Sequence, residues 1–166
     1  MNIRRTVLWL LVTVTVVVLD QWTKSLASSE LVYGRAVEVL PVFNFTLMHN
    51  SGAAFSFLSE AGGWQRWLFV GISSVVSLVL LVWMFLLKPK DIIMAASLSL
   101  ILGGAIGNLW DRVLLGYVID FISVHYDNHY FPAFNIADSA ISIGAVLMIL
   151  DMIINPERDS KATDDS

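Results

Sequence analysis

Four long apolar stretches, separated by shorter polar segments, dominate the pattern of the chain. They cover residues 6–27, 67–87, 92–115 and 135–154. Each can cross a bilayer, because a spanning helix needs roughly 20 apolar residues. The second and third are joined only by Lys88-Pro89-Lys90-Asp91, which is too short for anything but a tight turn, so they form an antiparallel hairpin. The pattern predicts an all-α membrane protein with four transmembrane helices.

The segment between the first two helices, residues 28–66, has a different pattern. Apolar side chains alternate there with others, as in half-buried strands: Val37, Val39, Phe43, Phe45 and Leu47. We therefore predict a small β-like cradle outside the membrane. Residues 1–155 are expected to form one membrane-embedded domain, and the polar tail at residues 156–166 is expected to be disordered.

Positive charges close to the helix ends predict the orientation. Retained Lys and Arg side chains mark the cytoplasmic side of a membrane protein. The following residues would then lie inside: Arg4, Arg5, Lys88, Lys90, Arg158 and Lys161. Both termini and the tail are predicted to be cytoplasmic, and the cradle lies on the opposite face.

The first helix also has an alternative interpretation. Arg4-Arg5, an apolar run and then Leu26-Ala27-Ser28 resemble a cleaved secretory signal. Against cleavage, Asp20 and Lys24 have the i,i+4 spacing that lets them pair on one helix face. A discarded peptide has no need of such a pair.

Composition narrows the possible chemistry. The chain is 57% hydrophobic and 14% charged, with a mean hydropathy of +0.72, which fits a membrane solvent. Its net charge is -4 and its basic residues form no continuous stripe, so we expect no nucleic-acid partner. Because the chain has no cysteine, thiol nucleophiles and thiolate zinc sites are excluded.

Several polar residues are expected at the outer membrane face. Helix three runs outward and helix four starts outside, so Asp120 and Asp138 lie at the same face. Asp20 is about 21 Å along the first helix from Thr6, at ~1.5 Å per residue, and joins them. The same layer receives Asn50, Asn108, Asp111, Arg112 and Asn135. Ionisable groups gathered at one membrane depth indicate a functional site, although interfacial helix-end residues are the simpler explanation for any one of them.

Asp120 and Asp138 are the sharper feature, since neither has a basic partner nearby in the sequence. Two close carboxylates do not both ionise easily. One then keeps its proton as a general acid, while the other takes a proton from an attacking water. This is the chemistry of aspartic proteases.

Other chemistries fit less well. The serines have no recognisable base partner, and His49, His125 and His129 are poor metal ligands, the last two in a loop before helix four. We expect no metal and no cofactor. A proton- or ion-translocating subunit is the alternative, but it would distribute carboxylates across the bilayer depth. A metal-dependent lipid-headgroup transferase would need a denser set of acidic ligands.

Five sequence blocks resemble the bacterial lipoprotein signal peptidases (signal peptidase II). They are Asp20-Gln21 with Lys24, Asn50 to Ser56, Gly103 to Arg112, Val118-Ile119-Asp120-Phe121, and Phe134-Asn135-Ile136-Ala137-Asp138-Ser139. Each block alone is weak, but five in the correct order are specific. Within the third block, Gly103 and Gly107 also form a small-xxx-small face, which is typical of close helix packing.

The resemblance implies a membrane aspartic endopeptidase with Asp120 and Asp138 as its catalytic pair. It implies that further residues line the site: Asn50, Gly52, Gly104, Asn108, Arg112, Asn135 and Ala137. Asp20 and Lys24 would support it. A loop over residues 52–57 would cover the site during turnover.

The resemblance also implies the substrate and the cellular location. The enzyme would cleave diacylglyceryl-modified prolipoproteins on the amino side of the lipidated cysteine. Its location would be the bacterial inner membrane, with several membrane passes and the active site near the periplasmic face. Membrane lipids would be its other partners, and we expect a monomer.

Overall fold

The structure is a computed structural model, and it describes residues 3–52 and 64–155. Its elements, in chain order, are α1 (Ile3–Glu30), β1 (Ala36–Leu40), β2 (Phe43–Asn50), α2 (Trp64–Leu86), α3 (Ile92–Leu114), β3 (Val118–Tyr126), β4 (His129–Tyr130) and α4 (Ile136–Ile154). All four helices are long and apolar enough to cross a membrane, which confirms the predicted architecture. The loop predicted at residues 52–57 lies outside the described residues after Gly52, as does the tail at residues 156–166.

Helix boundaries agree with the sequence pattern to within a few residues. The largest difference is at α1, which begins at Ile3 and continues to Glu30 instead of covering residues 6–27. No glycine or proline occurs between Ile3 and Tyr33, so nothing in the local sequence stops the helix at Ala27.

Helix α3 lies at the centre of the bundle. It packs on the other three helices, and its Ala95, Leu98 and Leu102 are almost fully buried, together with Met84 of α2. The remaining helices turn large apolar side chains such as Val75 outward. Such a surface is suited to lipid, because a bilayer requires apolar side chains outside and paired backbone groups inside.

Glycines let the neighbours of α3 approach its backbone. A β-carbon at Gly103 would lie 2.7 Å from the Val16 side chain of α1. A β-carbon at Gly107 would lie 2.5 Å from a carboxylate oxygen of Asp20, which is also on α1. The small face predicted for α3 therefore packs against α1, as small residues do between membrane helices.

The external sheet contains four antiparallel strands in the order β1-β2-β3-β4. The prediction was incomplete here, because it placed the cradle only between the first two helices and put His125 and His129 in a loop. In the structure these histidines lie on β3 and β4. The sheet thus combines two segments that are distant in sequence.

Local sequence explains the two strands that were not predicted. Residues 118–126 are rich in β-branched and aromatic side chains, which favour strands. The run is bounded by Gly116, with a φ of 88°, and by Asp127, with a φ of 52°. Both residues adopt the left-handed backbone region that suits turns, and Asp and Gly enter it most readily.

The two ends of the bundle differ in character. At one end the Arg5 guanidinium donates to the Pro89 carbonyl at 2.7 Å, so the start of α1 meets the turn between α2 and α3. At the other end lie the sheet and the first turn of α4. The residues of the predicted site gather at this second end.

Candidate active site

The first turn of α4 places Asp138. Asn135 caps this helix. Its side-chain oxygen accepts from the backbone N–H of Asp138 at 2.9 Å, and the Asp138 carboxylate accepts from the backbone N–H of Asn135 at 3.3 Å. This reciprocal pair is a capping box. Asp138, which is half-buried, therefore lies at the positive end of the helix dipole, where a negative charge is stabilised.

Strand β3 places Asp120, whose exposure is only 2%. The strand pairs with β2, which ends at Asn50 beside it. The side-chain amide of Asn50 donates to one Asp120 oxygen at 3.0 Å, and the side-chain amide of Asn135 donates to the other at 2.8 Å. Both oxygens of this carboxyl group are therefore oriented by side-chain amides.

Burial raises the pKa of Asp120 to about 6. The hydrogen bonds from Asn50 and Asn135 and the charge of Lys24 oppose this rise, because each favours the ionised form. The negative charge of Asp138 adds to it. The two carboxyl groups are thus electrostatically coupled.

Two asparagines connect the carboxyl groups. The side-chain nitrogen of Asn108, on α3, donates to Asp138 at 2.7 Å. Its side-chain oxygen accepts from the side-chain amide of Asn135 at 3.2 Å and from the Lys24 ammonium at 3.0 Å. A cation can only donate, so Lys24 fixes which end of the Asn108 amide faces Asp138. Asp120, Asn135, Asn108 and Asp138 form one continuous hydrogen-bonded chain.

Lys24 also stands in a buried ion cluster. Its ammonium lies 2.8 Å from Asp20 and 2.9 Å from Asp111, and all three side chains are at most 2% exposed. The pairing of Asp20 with Lys24, predicted from their spacing, is present. Burial of charged groups is costly unless they are paired in this way.

The acids of this cluster hold the elements that carry the candidate catalytic pair. Asp20 accepts from the Ala137 amide at 2.9 Å, which ties α1 to the start of α4. Asp111 accepts from the Ile119 amide at 3.1 Å, which ties α3 to the start of β3. Ala137 directly precedes Asp138 in the chain, and Ile119 directly precedes Asp120.

Gln21 was not among the predicted site residues, and Asp111 was predicted only to lie in the same outer layer, without a role in the site. Gln21 donates to Asp111 at 2.8 Å and to the Gly107 carbonyl at 3.2 Å. Both residues stand next to predicted ones, Asp20 and Arg112, within the blocks that carried the resemblance. Their pairing depends on the contact between α1 and α3, which local sequence does not specify.

Arg112, Gly52 and Gly104 complete the predicted set. The Arg112 guanidinium lies within electrostatic reach of Asp138 and Asp120 and stands over the Phe69 ring, 5.3 Å from its centroid. The Gly52 amide donates to the Asn50 side chain at 2.9 Å. Gly104 contacts the Ala137 backbone so closely that a β-carbon there would overlap the Ala137 carbonyl.

The predicted site residues therefore lie together in one connected region. Elsewhere in the described chain, Asp91 and Asp151 lie at the opposite end of the bundle. Asp91 directly precedes α3, and Asp151 lies in the last turn of α4. Within residues 3–52 and 64–155, no group of three or more histidines and acids is arranged to hold a metal. His49 and His125 instead stack on Tyr117 and Tyr130.

A four-helix membrane bundle with two interacting carboxyl groups at one end is the arrangement expected of membrane-embedded peptidases of the aspartic type. Residues 12–154 match the family described as Signal peptidase (SPase) II. The chain belongs to the signal peptidase II family.

Individual relatives agree with this assignment. The chain is 54% identical over 144 residues to a lipoprotein signal peptidase of Acinetobacter baylyi, covering 87% of this chain and 80% of that protein. It is 51% identical over 157 residues to one of Acinetobacter baumannii, covering 95% and 89%. It is 54% identical over 146 residues to one of Pseudomonas aeruginosa, covering 87% and 86%.

A solved structure described as a bacterial membrane enzyme has the same fold. It superposes with a TM-score of 0.77 at 33% identity, covering 95% of this chain and 93% of the solved one. The protein is thus a multi-pass bacterial membrane peptidase, and the ion-translocating alternative is not favoured.

Proposed function

We propose that Asp120 and Asp138 are the catalytic pair with which this peptidase removes the signal peptide from diacylglyceryl-modified prolipoproteins. Cleavage falls on the amino side of the lipidated cysteine. Removal of signal peptides from prolipoproteins is the activity of the family to which the chain belongs. The observation that carries the assignment of the pair is the continuous hydrogen-bonded chain from Asp120 through Asn135 and Asn108 to Asp138.

The surroundings of the two carboxyl groups support different roles. Asp120 is buried with a raised pKa, so it holds a proton more readily and acts as the general acid. Asp138 is half-buried at a helix N-terminus, so it is the carboxylate that acts as general base.

The reaction then follows in two steps. Asp138 takes a proton from a water molecule whose oxygen attacks the scissile carbonyl carbon, and Asp120 gives its proton to the carbonyl oxygen. The resulting diol collapses as Asp120 takes a proton back and Asp138 protonates the departing amine. Each carboxyl group ends the cycle in its starting state, as general acid–base catalysis requires.

The position of the site in the bundle suits a lipid-bearing substrate. The pair lies at one end of the helices, beside the sheet, where a cysteine anchored by acyl chains stays at the membrane surface. We place this end at the periplasmic face and both termini in the cytoplasm, in accord with the positive charges at the other end. Within the described residues, every side chain of the connected site comes from one chain, which supports a monomeric enzyme in direct contact with membrane lipids.

Isosteric substitutions test the pair. We expect Asp120→Asn and Asp138→Asn each to lower kcat on a diacylglyceryl-modified prolipoprotein by about 10²- to 10⁴-fold, because each removes one proton-transfer group. Asp127→Asn, in the exposed turn between β3 and β4, is the matched control and should keep wild-type activity. Near-normal cleavage by either site variant would make that aspartate structural.

Chelation provides a second arm of the same experiment. A carboxylate pair needs no metal, so EDTA should leave the cleavage rate unchanged. A large loss of activity that returns with added divalent metal would contradict the mechanism.

A further inference from the structure

Helix α2 contributes an aromatic side chain to the site. Phe69 is half-buried one turn into the helix, on the side that faces the end of α3. Three residues earlier, Arg66 binds the last turn of α3, donating to the Arg112 carbonyl at 2.8 Å and to the Val113 carbonyl at 2.6 Å. These bonds fix the start of α2 against α3, so the Phe69 ring has a defined position relative to Arg112.

One side of the Phe69 ring packs against Gly52. A β-carbon at Gly52 would overlap the ring edge, with Cδ2 at 2.8 Å, so only glycine leaves room for this contact. Gly52 also has a φ of 90°, which an L side chain rarely adopts. The ring therefore limits where the Gly52 backbone can lie.

The position of Gly52 determines how Asn50 is oriented. The Gly52 amide donates to the Asn50 side-chain oxygen, so the Asn50 nitrogen must point the other way, to Asp120 at 3.0 Å. If Gly52 moved, the Asn50 amide could turn and its bond to Asp120 would be lost. A series of contacts therefore links Phe69 to Asp120 through Gly52 and Asn50.

The other contact of the ring is with Arg112. The guanidinium carbon lies 5.3 Å from the ring centroid, within the range of a cation–π interaction. The same guanidinium lies within electrostatic reach of Asp138 and Asp120. The ring therefore contacts both Arg112, which acts electrostatically on the pair, and Gly52, which is bonded to the Asn50 side chain.

We propose that Phe69 is a positioning residue of the peptidase, holding Asn50 on Asp120 through Gly52 and holding Arg112 within electrostatic reach of the carboxylate pair. This inference rests on the proposed catalytic role of that pair. Neither the resemblance nor the chemistry of carboxylates points to Phe69, because it is an apolar residue in a membrane helix.

Two variants separate the contacts of the ring. Phe69→Leu keeps apolar volume near Gly52 but removes the aromatic face under Arg112, whereas Phe69→Ala removes both contacts. We expect kcat/KM to fall about 3- to 30-fold in Phe69→Leu, the range of one cation–π interaction, and further in Phe69→Ala. Leu68→Ala, on the exposed side of the same helix, is the matched control and should have no such effect.

A titration distinguishes positioning from general loosening of the bundle. The Asp120 carboxyl group can be followed by ¹³C NMR in detergent micelles, with Asp138 of α4, Lys24 of α1 and Arg112 of α3 left in place. Phe69→Ala should raise the Asp120 midpoint, because an amide that donates to the carboxylate is lost. Phe69→Leu should leave it closer to wild type.

The outcomes separate this proposal from the catalytic one. Wild-type kcat/KM and an unchanged Asp120 midpoint in both Phe69 variants would overturn the positioning role, even if Asp120→Asn and Asp138→Asn are inactive. If an aspartate variant instead stays active, the catalytic assignment fails, and the titration still decides whether Phe69 orients Asn50.

Discussion

At the scale of single residues, side-chain amides and one ammonium group determine how the carboxyl groups behave. Asp120 receives two amide donors, and Lys24 sets the orientation of Asn108, which in turn contacts Asp138. The sequence predicted the pairing of Asp20 with Lys24 because their i,i+4 spacing is local. It did not predict Asp111 as the second partner of Lys24, since that contact exists only after α1 packs on α3.

Asn50→Ala should move the pH dependence of kcat/KM. Its amide favours the ionised form of Asp120, so its loss raises the Asp120 pKa above about 6. The proposed acid then stays protonated to higher pH, and the alkaline limb of the profile moves upward by up to about one unit. Initial cleavage rates at substrate concentrations well below KM, measured across pH, give this shift. Asn128→Ala, in the exposed β3–β4 turn, should leave the limb in place.

Lys24→Met should strongly destabilise the protein. The substitution leaves Asp20 and Asp111 buried without their cation, and removing one partner of a buried ion pair costs about 3–5 kcal/mol. Thermal unfolding in detergent measures the loss. Adding Asp20→Asn and Asp111→Asn to Lys24→Met removes the stranded charges and should recover much of the stability. If the triple variant is as unstable as the single one, the cluster does not act through charge.

At the scale of secondary-structure elements, glycine contacts and strand pairing bring the site together. The apolar pattern predicted each helix, because a membrane helix can be recognised in the sequence by its length and hydropathy. It missed β3 and β4, although β-branched residues between Gly116 and Asp127 are a recognisable strand pattern. The pairing of β2 with β3 could not be read from either segment alone, because strand register depends on both partners.

Gly104→Ala should impair both stability and activity. Its β-carbon would overlap the Ala137 carbonyl and push the first turn of α4, which carries Asp138, away from α3. Overpacking of this kind costs about 1–3 kcal/mol. Gly71→Ala on α2 is the matched control, because its β-carbon meets nothing within 4 Å. Unfolding temperatures and kcat for the two variants should diverge, and equal values would show that the α3–α4 contact tolerates the methyl group.

At the scale of the whole molecule, the bundle places the candidate site, with Lys24 and Arg112 inside it, at one end and the basic α2–α3 turn at the other. The start of α1 meets the α2–α3 turn at one end, while the site residues and the sheet occupy the other. The sequence predicted that the site residues share one end, because successive helix ends alternate between the two faces once the number of helices is known.

The proposed orientation is open to labelling, since the natural chain has no cysteine. We expect Glu38→Cys, on exposed β1, to react with a membrane-impermeant maleimide in intact spheroplasts. Lys90→Cys, in the α2–α3 turn, should react only after the membrane is permeabilised. The reverse pattern would place the termini outside and the carboxylate pair in the cytoplasm.

The bond between Asp20 and the Ala137 amide joins residues 117 positions apart. Asp20 lies on α1, whereas Ala137 and Asp138 lie on α4, which is synthesised after the other three described helices. Until then the Lys24 cluster and Asp120 have no α4 to engage. A nascent chain that stops before α4 therefore carries Asp120 without Asp138, and if these two residues are the catalytic pair, as proposed, such a chain has no proteolytic activity.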